Sequence, residues 1–179
     1  MAAEKNHGLI IVYTGDGKGK TTAALGMALR AMGYGWKIAI LQFVKGTWKT
    51  GEREFLKKTG GGITYEQLGI GFVTWKPTRP FEEHLDAAHQ AWDRAKNIVM
   101  SDEYDLIILD EINNATRFKL LPVDDVLKLI EEKPERLHIV LTGRGADQRI
   151  IDRADLVTEM KMVKHPFEKG KMAARGIDY

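Results

Sequence analysis

The sequence predicts an α/β fold, a mostly parallel sheet with helices on both faces in a single domain, and three observations predict it. Apolar strand-like runs recur at Leu9–Tyr13, Lys37–Phe43, Leu106–Leu109 and Leu137–Leu141, with a weaker one at Leu156–Val163, and helical or loop segments separate them. Strands that alternate with helices are joined by crossovers and lie parallel, covered on their faces. The glycine-rich run Thr14-Gly15-Asp16-Gly17-Lys18-Gly19-Lys20-Thr21-Thr22 stands between the first strand and the first helical pattern, where a parallel sheet gathers its ligands. The length of 179 residues suits one well-buried domain and demands no second, so the domain is taken as 1–179.

Taken in order, residues 1–7 are polar and expected to be flexible, and neither a secretory signal nor a spanning segment of about 20 apolar residues is visible. After the glycine loop, Ala23, Ala24, Met27, Ala28, Ala31 and Met32 recur at helical spacing, and Gly33 and Gly35 end the run. Lys57–Gly62, with three consecutive glycines, reads as loose. Pro80 opens a second helix whose Phe81, Leu85, Ala88, Trp92, Ala95 and Val99 repeat at three- and four-residue steps, so that face packs on the sheet. A third helix is expected over Val123–Glu131, between Pro122 and Pro134. In the last fifteen residues charges, Gly170 and Gly176 break any period, and 164–179 is expected to be a tail near the site.

Composition excludes several classes of chemistry. Cysteine is absent, which rules out disulfides, thiolate zinc sites, iron–sulfur ligation and a cysteine nucleophile, and agrees with a cytoplasmic setting. The 27 basic and 25 acidic residues are scattered, so a net charge of +2 points to neither nucleic acid nor membrane as a partner.

The glycine loop has the residues a polyphosphate needs. Gly15, Gly17 and Gly19 let backbone N–H groups turn inward as an anion nest, Lys20 adds a point charge, and Thr21 offers a hydroxyl to Mg²⁺. Thr14 stands where the usual G-x-x-x-x-G-K-[ST] pattern has its first glycine; either the loop opens differently there or Thr14 tolerates the turn. The second element is Asp105-Leu106-Ile107-Ile108-Leu109-Asp110-Glu111, an apolar strand ending in two carboxylates beside the loop. Mg²⁺ takes hard oxygen ligands and keeps several waters, so Thr21 with Asp110 or Glu111 suffices. Neighbouring residues on a strand point to opposite faces, so one of the two acids is expected to reach the ion. Together the two elements predict a P-loop protein, and the fold is expected to be RecA-like. His84 and His89, five residues apart on one helix, are poorly spaced for a shared ion and read as partly exposed structural histidines.

Six ordered segments carry a more specific resemblance. Thr14–Ala24, Leu41-Gln42-Phe43-Val44-Lys45-Gly46-Thr47-Trp48, Gly69-Ile70-Gly71-Phe72-Val73-Thr74-Trp75, Leu109-Asp110-Glu111-Ile112-Asn113, Thr142-Gly143-Arg144-Gly145 and Lys164-His165-Pro166-Phe167 resemble the P-loop ATP:cob(I)alamin (corrinoid) adenosyltransferases, in order from about Gly8 to Tyr179. Asp16 departs from the asparagine frequent in the family, and Ala174 from a glutamine.

The resemblance implies that Co(I) of a reduced corrinoid attacks the 5′ carbon of ATP and expels triphosphate, giving adenosylcobalamin or an incomplete adenosylated corrinoid. It implies ATP contacts from Thr14, Gly15, Asp16, Gly17, Lys18, Gly19, Lys20, Thr21, Thr22 and Arg144, with Lys20, Thr21 and Glu111 serving catalysis and Thr21, Asp110 and Glu111 serving Mg²⁺. It places Phe72 and Trp75 under the corrin, where apolar rings favour the reducible four-coordinate Co(II) state, with Lys45 and Trp48 nearby. From the residues alone, core packing is the favoured account of the two rings and only the resemblance reverses it, while a solvated lysine and packed indole explain Lys45 and Trp48, and a surface ion pair Arg144, as well as a ligand contact does. A reduced flavoprotein as electron donor and a homodimer are further implications. The competing functions are a P-loop ATPase or small-molecule kinase, a nucleic-acid motor, which lacks its basic stripe, and a non-catalytic ATP- or corrinoid-binding module.

Overall fold

Six strands, β1 (Ile10–Thr14), β2 (Ile38–Gln42), β3 (Ile63–Gln67), β4 (Leu106–Asp110), β5 (His138–Thr142) and β6 (Leu156–Glu159), make one sheet in the order β3-β2-β4-β5-β1-β6, and every pairing is parallel. The structure is a computed structural model and describes residues 7–44, 46, 50–56, 58, 62–71, 73 and 79–178. The expected flexibility of 1–6 lies outside the described residues. Successive side chains of a strand point to opposite faces, and the four central strands are apolar on both. One face offers Ile11, Ile38, Ile40, Leu106, Ile108 and Val140 to Ala24, Ala28 and Ala31 of α1 (Lys20–Met32). The other offers Val12, Ala39, Leu41, Ile107, Leu109, Ile139 and Leu141 to a larger core. That core is built by α3 (Phe81–Met100), α4 (Ile112–Arg117), α5 (Val123–Glu132) and α6 (Gln148–Arg153), while α2 (Gly51–Leu56) lies beside β3. Helices therefore cover both faces. Among the described residues no helix is long and apolar enough to cross a membrane.

The five predicted strands and three predicted helices are present, with ends displaced by a few residues. The sixth strand, β3, follows the glycines read as loose; its Ile-Thr-Tyr-Glu-Gln sequence is half-buried throughout, as an edge strand allows. On α3 the expected apolar face needs correction at its first turn. Phe81 is exposed and His84 is buried, so the inward stripe runs His84, Ala88, Ala91, Trp92, Ala95, Ile98 and Val99. His89 is exposed, whereas His84, read as partly exposed, is not.

A candidate nucleotide site at the carboxyl edge of the sheet

Each central strand ends in a polar residue at the same edge. Gln67, Gln42 and Asp110 stand side by side across β3, β2 and β4, and Thr142 and Thr14 end β5 and β1. Gln42, Asp110 and Thr142 are completely inaccessible to solvent. Buried polar groups need partners, and these supply one another's. Asp110 Oδ1 accepts the Thr21 hydroxyl at 2.8 Å and the Thr142 hydroxyl at 2.6 Å, and its Oδ2 accepts the Gln42 amide at 2.8 Å. Thr142 Oγ1 in turn accepts the Glu111 N–H at 2.9 Å.

Thr14 is the last residue of β1, and its hydroxyl accepts the Ala146 N–H at 3.1 Å. The turn opens one residue later, at Gly15, whose φ of 92° lies in the left-handed region that favours glycine. This explains how a threonine stands at the start of the loop. Gly17 N–H donates to Met160 O at 2.6 Å, so the loop is tied to the chain leaving β6 and that N–H is already engaged. Lys20 begins α1 after Gly19, and its ammonium donates to Gly15 O at 2.8 Å and Gly17 O at 2.7 Å. Burial pushes the Lys20 amine below the usual lysine range, Glu111 pulls it back up, and Arg144 adds to the lowering.

A cavity of about 640 Å³ opens here, and Gly17, Lys18, Gly19, Lys20, Thr21, Thr22, Glu111 and Arg144 line it. Thr14, Gly15 and Asp16 do not; they line a second cavity behind the loop with Arg117 and Glu159. Glu111 is not on the strand at all. It sits at φ 65° before α4, its carboxylate accepting the Asn114 side-chain amide, and this turn brings it to the cavity although Asp110 is buried behind. The expectation that the two acids point to opposite faces of one strand is therefore replaced by a strand-end acid and a turn acid. Arg144 follows Gly143 (φ 133°), and its N–H donates to Asn114 Oδ1 at 2.7 Å.

Several cavity residues were not singled out in the sequence reading, although four of them, His165, Gly176, Ile177 and Asp178, belong to the tail expected near the site. Gly176, Ile177 and Asp178 close one side, with Lys18 Nζ donating to Ile177 O at 2.8 Å and lying 3.4 Å from Asp178 Oδ1. Gly51, Glu52 and His165 also line the cavity. Gln42 and Thr142 had one legible signal, a polar residue closing an apolar strand. Lys45, Trp48, Phe72 and Trp75 lie outside the described residues. Their described neighbours come together: Gly71 N–H donates to Val44 O at 3.0 Å, and a Cβ on Gly69 would lie 2.2 Å from Phe43 O, so the backbones following β2 and β3 touch.

Among the described residues no group of three or more His, Asp or Glu side chains surrounds a common ion position. Mg²⁺ with a nucleotide does not need one, because phosphate and water oxygens complete its shell. The donor set fits: Thr21 gives its hydroxyl proton to Asp110, which leaves its lone pairs for a hard cation.

The family model described as ATP:corrinoid adenosyltransferase BtuR/CobO/CobP matches residues 6–179. A corrinoid adenosyltransferase of Escherichia coli K12 is 40% identical over 177 residues, 99% of this chain and 88% of its own length. One from a Sinorhizobium species is 44% identical over 174 residues, 96% and 80% of the two chains. The corrinoid adenosyltransferase CobA of Salmonella typhimurium is 39% identical over 177 residues, 99% and 88%. Among solved structures, a KaiC-like protein of Pyrococcus horikoshii shares the fold, with a TM-score of 0.52, 18% identity and 89% and 75% of the chains covered.

Proposed function

The chain belongs to the ATP:corrinoid adenosyltransferase family, and on that premise we propose how its residues carry the transfer of the 5′-deoxyadenosyl group of ATP to a reduced corrinoid. The electron pair of Co(I) forms the cobalt–carbon bond to C5′ while the C5′–O bond breaks and its pair leaves with triphosphate. Co(I) is itself a strong nucleophile, so the protein's task is positioning and stabilisation of a highly charged leaving group. Free N–H groups of the glycine loop, Lys20, Thr22 and Arg144 hold the phosphates, and the Lys20 ammonium exchanges its loop carbonyls for phosphate oxygens. Thr14, Gly15 and Asp16 act through the shape of the loop rather than by lining its cavity.

Thr21, with Asp110 behind it and Glu111 in the lining of the same cavity, would hold Mg²⁺, which would neutralise charge on the departing triphosphate. The observation that carries this assignment is the Thr21–Asp110 hydrogen bond at the mouth of the loop, beside the Lys20 ammonium. The family resemblance implies a nucleotide reversed relative to most P-loop enzymes, with C5′ toward the corrin. It assigns Phe72 and Trp75 to the lower face of the corrin, and Lys45 and Trp48 to contacts with nucleotide or corrin. The contact between Val44 and Gly71 supports a shared role for these two segments. A RecA-like arrangement, one domain over 1–179 with 164–179 closing on the site, a homodimer, a cytoplasmic setting and a reduced flavoprotein as electron donor complete the proposal.

Incubation with ATP, Mg²⁺ and chemically reduced cobalamin tests it. A light-sensitive adenosylated corrin and intact triphosphate are expected, and Lys20→Ala abolishes both. Orthophosphate without adenosylated corrin would indicate an ATPase, ADP with a phosphorylated product a kinase, and binding without turnover a carrier.

A further inference from the structure

Gln42, fully buried at the end of β2, reaches the site only through Asp110, and no step above uses it. Its backbone is fixed on both sides, paired in register with Gln67 of β3 and Asp110 of β4. The amide is asymmetric: Nε2 donates to Asp110 Oδ2 at 2.8 Å, while Oε1 accepts the Tyr65 hydroxyl at 2.6 Å and the Gln67 amide at 3.3 Å. Turned end for end, the same amide would set its oxygen against the Asp110 carboxylate, two acceptors with no proton between them. The acceptor-only Asp110 carboxylate disfavours that turn, and Tyr65 and Gln67 donate to the oxygen that the observed orientation leaves on the β3 side. Burial pushes the Tyr65 phenol up to about 12, so at neutral pH it keeps the proton it donates to Gln42 Oε1. Asp110 has Thr21 and Thr142 on one oxygen and only Gln42 on the other among the described residues.

We propose that Gln42 is a positioning residue that fixes the rotation of the Asp110 carboxylate toward Thr21, and that Tyr65 fixes Gln42 in turn. The proposal rests on the assignment of Thr21 and Asp110 to the Mg²⁺–phosphate site. Without the Gln42 amide, Oδ2 loses its donor and the carboxylate is free to rotate away from Thr21. Binding of ATP then loses its metal-dependent share while the loop's own grip on phosphate persists.

Calorimetric titration of the full chain with ATP alone, in Mg²⁺ and in EDTA and without corrinoid, reads that share as the ratio of the two Kd values. Gln42→Leu should shrink the ratio about tenfold, the usual consequence of losing one hydrogen bond to a charged group. Tyr65→Phe should shrink it in the same direction by less, and the double variant should be no worse than Gln42→Leu alone, because Tyr65 acts through Gln42. A ratio unchanged in the variants, equal losses in Mg²⁺ and EDTA, or additive losses in the double variant would overturn the proposal. Should Gln42→Leu fail to fold, Tyr65→Phe decides alone by the same ratio. A wild-type ratio of one would instead overturn the metal assignment itself and this inference with it; a wild-type ratio well above one that the variants retain removes only the role of Gln42.

Discussion

Replacing Gly17 by alanine should damage nucleotide binding severely through one methyl group. A Cβ at Gly17 would lie 2.6 Å from Met160 O and 2.8 Å from the carbonyl carbons of Met160 and Lys161, all of them backbone atoms that cannot swing aside. Relief to an ordinary carbon contact of about 3.5 Å requires the loop to retreat by close to an ångström. That retreat breaks the 2.6 Å Gly17–Met160 hydrogen bond. The lost bond costs about 1 kcal/mol and the residual overpacking about 1–3 kcal/mol, so the native loop is disfavoured by roughly 2–4 kcal/mol. At 1.4 kcal/mol per decade, ATP affinity should fall by roughly thirtyfold to several hundredfold. Gly26→Ala supplies the control, for it lies in α1 with nothing within 4 Å of an added Cβ. It should stabilise the helix by about 0.5–1 kcal/mol and leave affinity unchanged. Calorimetric titration with ATP and Mg²⁺ measures both. A Gly17→Ala protein that binds within twofold of the wild type would refute the steric reasoning and show that the tie to Met160 is not what shapes the loop.

Trp92, 4% exposed and packed with Phe43, anchors α3 to the sheet, and Trp92→Ala should lower unfolding free energy by about 3–5 kcal/mol in urea denaturation. His138 is held below its ordinary value by burial and by Lys133, against the opposing pull of Asp105, and its neutral Nδ1 accepts the Leu9 N–H. The unfolded chain therefore takes up that proton first as pH falls. Stability should hold above about pH 6.5, the ordinary histidine value, and decline progressively below it. His138→Asn should flatten that decline, seen as urea midpoints between pH 7.5 and 5. Phe72→Ala and Trp75→Ala should reduce adenosylation starting from Co(II) more than from pre-reduced Co(I), and equal losses would remove the ligand-displacing role.

The periodicities that identify α1 and α3, the prolines that bound α5, and the continuous apolar runs of the central strands depend on each segment's own residues. Those were legible in the chain, as were the glycines and Lys20 that a phosphate loop demands and the ordered segments shared with a family. What the chain alone left open belongs to contacts between residues far apart in sequence. β3 has too few apolar residues to declare itself and becomes a strand by pairing with β2. Thr14 could occupy the first position of the loop because β1 runs through it and Gly15 takes the turn. Phe81 and His84 exchanged places because the first turn of α3 presents His84 to the interior. The division of labour between Asp110 and Glu111 was decided by tertiary structure too, since only the assembled edge shows one acid buried under Thr21, Thr142 and Gln42 and the other turned to the cavity by a left-handed backbone. Local pattern records what a segment prefers; which polar groups meet is set by strand order and register, and no single segment contains that information.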